Sequence, residues 1–208
     1  MTKEELIHLL KTDVEEFNKV RPKGKIDLSE ADLSEADLSQ ANLTRANLWR
    51  ASLVKANLSE ANLVRARLEY ANLYKANLTE AHLHIANLYK ANLTEATLFE
   101  ADLYGADLTE ATLFEADLVR ANLVRVSLNY ANLYKANLTG ANLFKADLSE
   151  AKLHKADLTR ADLTEADLTE ANLTRATLTE ANLSEAYLYK DSNYIPGLAG
   201  ANLERYMD

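Results

Sequence analysis

The sequence predicts an all-β solenoid, a stack of short parallel strands closed at its start by a short amphipathic helix. Residues 26–190 are 33 consecutive five-residue units without insertion or deletion. Leu fills the third position of all 33, from Leu28 to Leu188, and Ala fills the first in 31, with Ile26 and Val126 as exceptions. The second position is Asp or Asn in 24 units and the fifth is charged in 27, while the fourth varies.

A five-residue period suits neither a helix nor a straight strand. In an α-helix each step of five turns the leucine by about 500°, or about 140° net, so no single stripe forms. In a straight strand side chains alternate with period two, and an odd step sends successive leucines to opposite faces. The pattern works when each unit is a short extended piece followed by a corner near its fifth residue. Ala and Leu then point inward, and the second and fourth residues point outward. Stacked coils place parallel strands about 4.8 Å apart and pair each backbone group with the coil above or below.

The run of A-(D/N)-L-x-x units, for example Ala31-Asp32-Leu33-Ser34-Glu35, resembles the pentapeptide repeat proteins. The resemblance covers about four-fifths of the chain. It implies a right-handed quadrilateral parallel β-helix with four units per coil, so that residues 20 apart stack. It implies little about a task, because one fold carries many functions.

Ahead of the repeats, Thr2 and Glu5 form a capping-box pair. Leu6, Ile7, Leu10, Val14 and Phe17 follow on one side at helical spacing, and Arg21-Pro22-Lys23-Gly24 ends the run. One helix over residues 2–20 is expected as a lid on the first coil, which divides the chain into a capping helix and connector (1–25), the β-helix (26–190) and a C-terminal cap (191–208). In the cap, Leu198 and Leu203 return in register after Pro196, so the cap is read as a ninth coil or a dimer contact.

With no cysteine, neither a disulfide nor a thiolate metal site is available. No stretch has the apolar length of a membrane span and the start lacks a signal peptide's layout, so a cytoplasmic protein is expected. The net charge of −9 argues against nucleic acid as a partner. Stepping by 20 residues assigns the outward charges to faces. The first face, begun by Leu28, and the third, begun by Leu38, each sum to −5, the second to +2, and the fourth to zero. The two acidic faces therefore look in opposite directions.

A longer repeat lies above the short one. Residues 61–80 and 121–140 agree at 16 of 20 positions, and residues 71–80 recur at 86–95, shifted by 15 and therefore onto a different face. The five-residue unit, rather than the face, is the building block.

No catalytic constellation stands out, and no cofactor is expected. Ser and Thr at fourth positions read as solvated strand surface. Asp and Asn at second positions read as local partners of the backbone near corners rather than as a calcium array. His82 and His84 flank Leu83 with Asp102 expected one coil above His82; His8 and His154 have no evident partner. Outward aromatics gather in the middle of the chain and form the candidate interaction surface: Tyr70, Tyr74, Tyr89, Phe99, Tyr104, Phe114, Tyr130, Tyr134 and Phe144.

The leading functional reading is a non-enzymatic structural or protein-interaction scaffold with an unidentified protein partner, as a monomer or as a dimer through the C-terminal end. The resemblance implies a second: some pentapeptide repeat proteins mimic duplex DNA and bind DNA gyrase, which would need a continuous acidic surface. Metal binding through the surface histidines is a third.

Overall fold

The computed structural model describes residues 1–188. Parallel bridges join residues exactly 20 apart at every second position, from Asp27↔Asn47 to Asp167↔Tyr187. Four units therefore complete one coil, and the solenoid has four faces. Each face contributes one bridged residue rather than a continuous strand. In this respect the all-β expectation is coarser than the molecule, because corners recur every five residues and leave no length for a strand to grow.

Each corner is a β-turn. The N–H of Ala31 donates to the Leu28 carbonyl at 3.1 Å, and the same bond recurs through Ala186 to Leu183 at 3.0 Å. The fifth residue of every described unit from Glu30 to Glu185 has φ between 53° and 66°. This is the left-handed region, needed at the third position of a type II turn and usually given to Gly or Asn. Only Gly105 and Gly140 follow that preference. Every other corner holds an L side chain at a cost of about 1–2 kcal/mol. Contacts between coils offset that cost: the Glu30 N–H, for instance, donates to the Trp49 carbonyl at 2.7 Å.

Two further backbone bonds per unit complete the stack. The Leu28 N–H donates to the Asn47 carbonyl, and the Asn47 N–H to the Ile26 carbonyl, each at 2.7 Å. Inside, every leucine from Leu28 to Leu163 has no exposed surface, and no polar or charged residue is buried among the described residues. Ala beside Leu fits the narrow tube, where a second large side chain would overpack the axis.

At the start, two helices stand where one was expected: α1 (Lys3–Thr12) and α2 (Val14–Val20). Asp13 breaks the run. Its non-helical backbone ends α1, and its side chain accepts the Glu16 N–H at 2.8 Å to cap α2. The capping box of Thr2 and Glu5 is present. Leu6, Leu10 and Phe17 are buried against the first coil, and Ile7, Leu9 and Val14 pack around them. The break lets two short helices lie over a square end that one straight helix would only cross.

The lid also meets polar groups at the edge of the first coil. The Asn18 amide donates to the Gln40 carbonyl at 3.0 Å and accepts the Asn42 N–H at 2.7 Å. The Lys3 ammonium reaches the Ser29 carbonyl, and the Arg21 guanidinium reaches that of Thr44. The expected cap at 191–208 lies outside the described residues.

Candidate functional site

Stacking at a fixed step of 20 turns each outward position into a column. In the second-position columns, Asp and Asn accept the N–H two residues on, as in Ser29 to Asp27 at 3.1 Å and Thr94 to Asn92 at 3.1 Å. Many also bond along the column, as when the Asn77 amide donates to Asn57 at 3.1 Å. The side-chain oxygen holds the corner in shape, which explains the residue preference without any ligand. At the first coil, Ser29, Ser34 and Ser39 hold the carboxyls of Asp27, Asp32 and Asp37 below the ordinary value by side-chain and then backbone hydrogen bonds.

Most Ser and Thr at fourth positions are half-buried at the turns rather than spread on open strand, with Thr174 and Thr179 exposed. Several donate to the second-position oxygen of their own unit, as Thr164 does to Asp162 at 2.5 Å. Those hydroxyls are engaged in the corner.

Fifth-position charges pair across coils. Lys55 meets Glu35, Lys75 meets Glu95, Lys135 meets Glu115, and Lys145 meets Glu165, at 2.6–3.5 Å. On the two acidic faces, Lys90 pairs with Glu110, Arg120 with Glu100 and Arg160 with Glu180. Each exposed pair is worth about 0–1 kcal/mol. The shifted repeat reproduces its chemistry on another face: the Tyr74 hydroxyl and Lys75 share Glu95, and the Tyr89 hydroxyl and Lys90 share Glu110. The Tyr89 and Glu110 partners push the Lys90 ammonium well above its ordinary pKa.

The nine aromatics do not form one patch. Tyr70, Tyr89 and Tyr130 stand on the first face, Tyr74, Phe114 and Tyr134 on the second, Phe99 on the third, and Tyr104 and Phe144 on the fourth. Two groups come together. Tyr70 meets Tyr89 edge-on at 5.7 Å, with the Arg50 guanidinium lying 4.3 Å over the neighbouring Trp49 ring. On the second face Phe114, Tyr134 and His154 stack at 5.5 and 5.4 Å. Lys152, Asn132 and Asn172 complete a shallow hollow of about 580 Å³ beside them. His154 therefore has ring partners that the sequence reading missed; the spacing of 20 from Tyr134 was the available signal. The Tyr70 and Tyr130 rings, 44% and 50% exposed, are the most open of the nine.

His82 and His84 separate. His82 is exposed and bridges Asp102 only through the backbone. His84 Nε2 lies 3.2 Å from the Asp102 carboxylate, and its ring tilts against Tyr104 at 5.8 Å. Among the described residues no group of three or more His, Cys, Asp or Glu is placed to hold a metal ion. No helix among them is long and apolar enough to cross a membrane.

Comparison with curated proteins gives no match. Among solved structures, HetL, a pentapeptide repeat protein involved in heterocyst differentiation regulation from the cyanobacterium Nostoc sp. strain PCC 7120, is 37% identical over 86% of this chain and 85% of its own, with a TM-score of 0.43. Alr5209, a pentapeptide repeat protein from Nostoc PCC 7120, is 36% identical over 49% of this chain and 83% of its own, at 0.43. QnrB1, a plasmid-mediated fluoroquinolone resistance protein, is 20% identical over 80% of this chain and 84% of its own, with a TM-score of 0.63, a likeness of fold alone. The family of pentapeptide repeats matches in eight copies, with spans running from residue 25 to residue 190. With the 20-residue coil and the buried Ala-Leu axis already in view, that match settles the kinship: this chain belongs to the pentapeptide repeat family.

Proposed function

We propose that this right-handed, four-sided rod is a non-enzymatic scaffold that presents outward side chains to a protein partner. The stack of Phe114, Tyr134 and His154 carries the reading, because it sets rings in register beside an open hollow on a backbone with no freedom to collapse. Ordered aromatic rings lose little further conformational entropy when a partner covers them. Many of the hydroxyls and carboxylates that could serve chemistry are engaged in corners and ion pairs, which supports a binding role over an enzymatic one.

The test is photo-crosslinking in the native host, with benzoylphenylalanine placed in turn at Tyr134, Tyr130 and Tyr70. A discrete protein adduct from Tyr134, stronger than from a corner such as Glu80, is the expected result. Absence of any adduct from all three aromatic positions would refute the reading.

A further inference from the structure

The lower corners of the fourth face depart from the pairing seen elsewhere and seen higher on the same face at Lys145 and Glu165. The fifth-position column of this face begins Arg45, Arg65, Ile85, Gly105, Arg125, before Lys145 and its partner Glu165. None of these three arginines has an ion-pair partner among the described residues, although corner cations on the other faces commonly meet a carboxylate one coil away. Arg21 and Lys23 extend the column below Arg45, and with Val64 and His84 they line a groove of about 410 Å³. Among the described residues no carboxylate lines that groove.

At its upper end Ile85 is an anomaly. It is the only β-branched residue at a fifth position, stands at φ 54°, and is 51% exposed. A β-branched side chain in the left-handed region is an outlier even among residues with positive φ. Gly105 lies directly above it, and a Cβ there would meet Ile85 Cγ1 at 3.8 Å. The glycine keeps the space over Ile85 open. The result is an exposed aliphatic knob between unpaired arginines, beside the half-buried Val64.

Resting on the scaffold reading, we propose that this face binds an acidic, extended polypeptide segment whose carboxylates meet Arg45, Arg65 and Arg125 while alternate apolar side chains cover Ile85 and Val64. Four coil steps separate Arg45 from Arg125, about 19 Å, which matches about six extended residues. Alternation along an extended chain lets one set of side chains follow the column of Arg45, Arg65 and Arg125 while the other set lies toward Val64 and the side of Ile85 that faces it. A nucleic acid fits worse: it has phosphates but no aliphatic side chains for Ile85, and a long polyanion meets two faces of −5 on the same rod.

Fluorescence anisotropy of a labelled hexapeptide alternating Glu and Leu tests this against the whole protein. Saturable binding is expected, weakened about tenfold or more by Arg65→Glu and again by Ile85→Gly, a change that relaxes the backbone and so preserves the fold. Arg175→Glu on the second face, the same change of charge, should leave affinity unaltered. The proposal fails if no saturable binding occurs, if Arg175→Glu is as damaging as Arg65→Glu, or if a Glu-Ser peptide binds equally well. Tighter binding of a single-stranded oligonucleotide would also overturn it. So would self-association abolished by Arg65→Glu, which would assign the groove to a second copy. Each failure leaves crosslinking from Tyr134 as a separate test of the scaffold.

Discussion

Asn18 performs for the first coil what a backbone peptide performs for every later one. In the interior, the Asn62 N–H donates to the Ala41 carbonyl at 2.9 Å, and the His82 N–H to that of Ala61 at 2.9 Å. The first coil has no coil beneath it, and the Asn18 side chain takes the Asn42 N–H at 2.7 Å while giving its own N–H to Gln40. Asn18→Ala removes both bonds from partly covered groups, at a cost of about 1–3 kcal/mol. If that cost falls on local opening, exchange of the Asn42 amide should accelerate about 5- to 140-fold, at about 1.4 kcal/mol per tenfold. Hydrogen exchange read by NMR at residue resolution is the assay. The Asp102 amide, bonded to Ala81 at 2.9 Å in the interior, should keep its wild-type rate. Two outcomes would refute the reasoning. Unchanged protection of Asn42 would show that the lid does not act as a substitute coil. Uniform acceleration along the rod would show that the coils open as one unit rather than through nearest-neighbour terms.

Leu108→Ala, at a site with no exposed surface, should lose about 2–5 kcal/mol in urea unfolding, and a loss under about 1 kcal/mol would contradict close packing of the tube. The carboxyls of Asp27, Asp32 and Asp37 titrate below their ordinary value of 3.8, so their stabilisation is present above that pH and is lost as pH falls through the depressed folded values. Asn keeps the accepting oxygen without a proton to gain, so Asp27→Asn, Asp32→Asn and Asp37→Asn together should match wild type near pH 7 and lose less stability on acidification below pH 3.8 in circular dichroism melts; an identical acid profile would refute the linkage. DNA mimicry predicts salt-sensitive binding to DNA gyrase, whereas acidic faces that look apart and are partly neutralised by Lys90, Arg120 and Arg160 predict none at micromolar protein in a pull-down across salt. Binding weakened by charge reversal at Glu60, Glu80 and Glu100 would restore the mimic.

The period of five, read with leucine at the third position of every unit, was enough to determine the solenoid and its Ala-Leu axis. Only a corner in each unit turns every leucine inward. The stacking of residues 20 apart followed from the family resemblance, and Asp and Asn were correctly read as backbone partners. What the sequence left undetermined lies in contacts between coils. Nothing about Glu, Lys or Arg at a fifth position signals a left-handed backbone, because isolated residues of those types avoid it, and the turn bond together with the bond to the next coil holds them there. The break at Asp13 likewise escaped the helical pattern, since Val14 and Phe17 continue the apolar side and only the square end of the first coil demands two directions. Partner choice among surface residues was the least legible. Among the described residues His84 takes Asp102 while His82 does not, and Arg45 and Arg65 stay unpaired while Lys55 and Lys75 find glutamates, because a column's chemistry depends on what stands exactly one coil away in space.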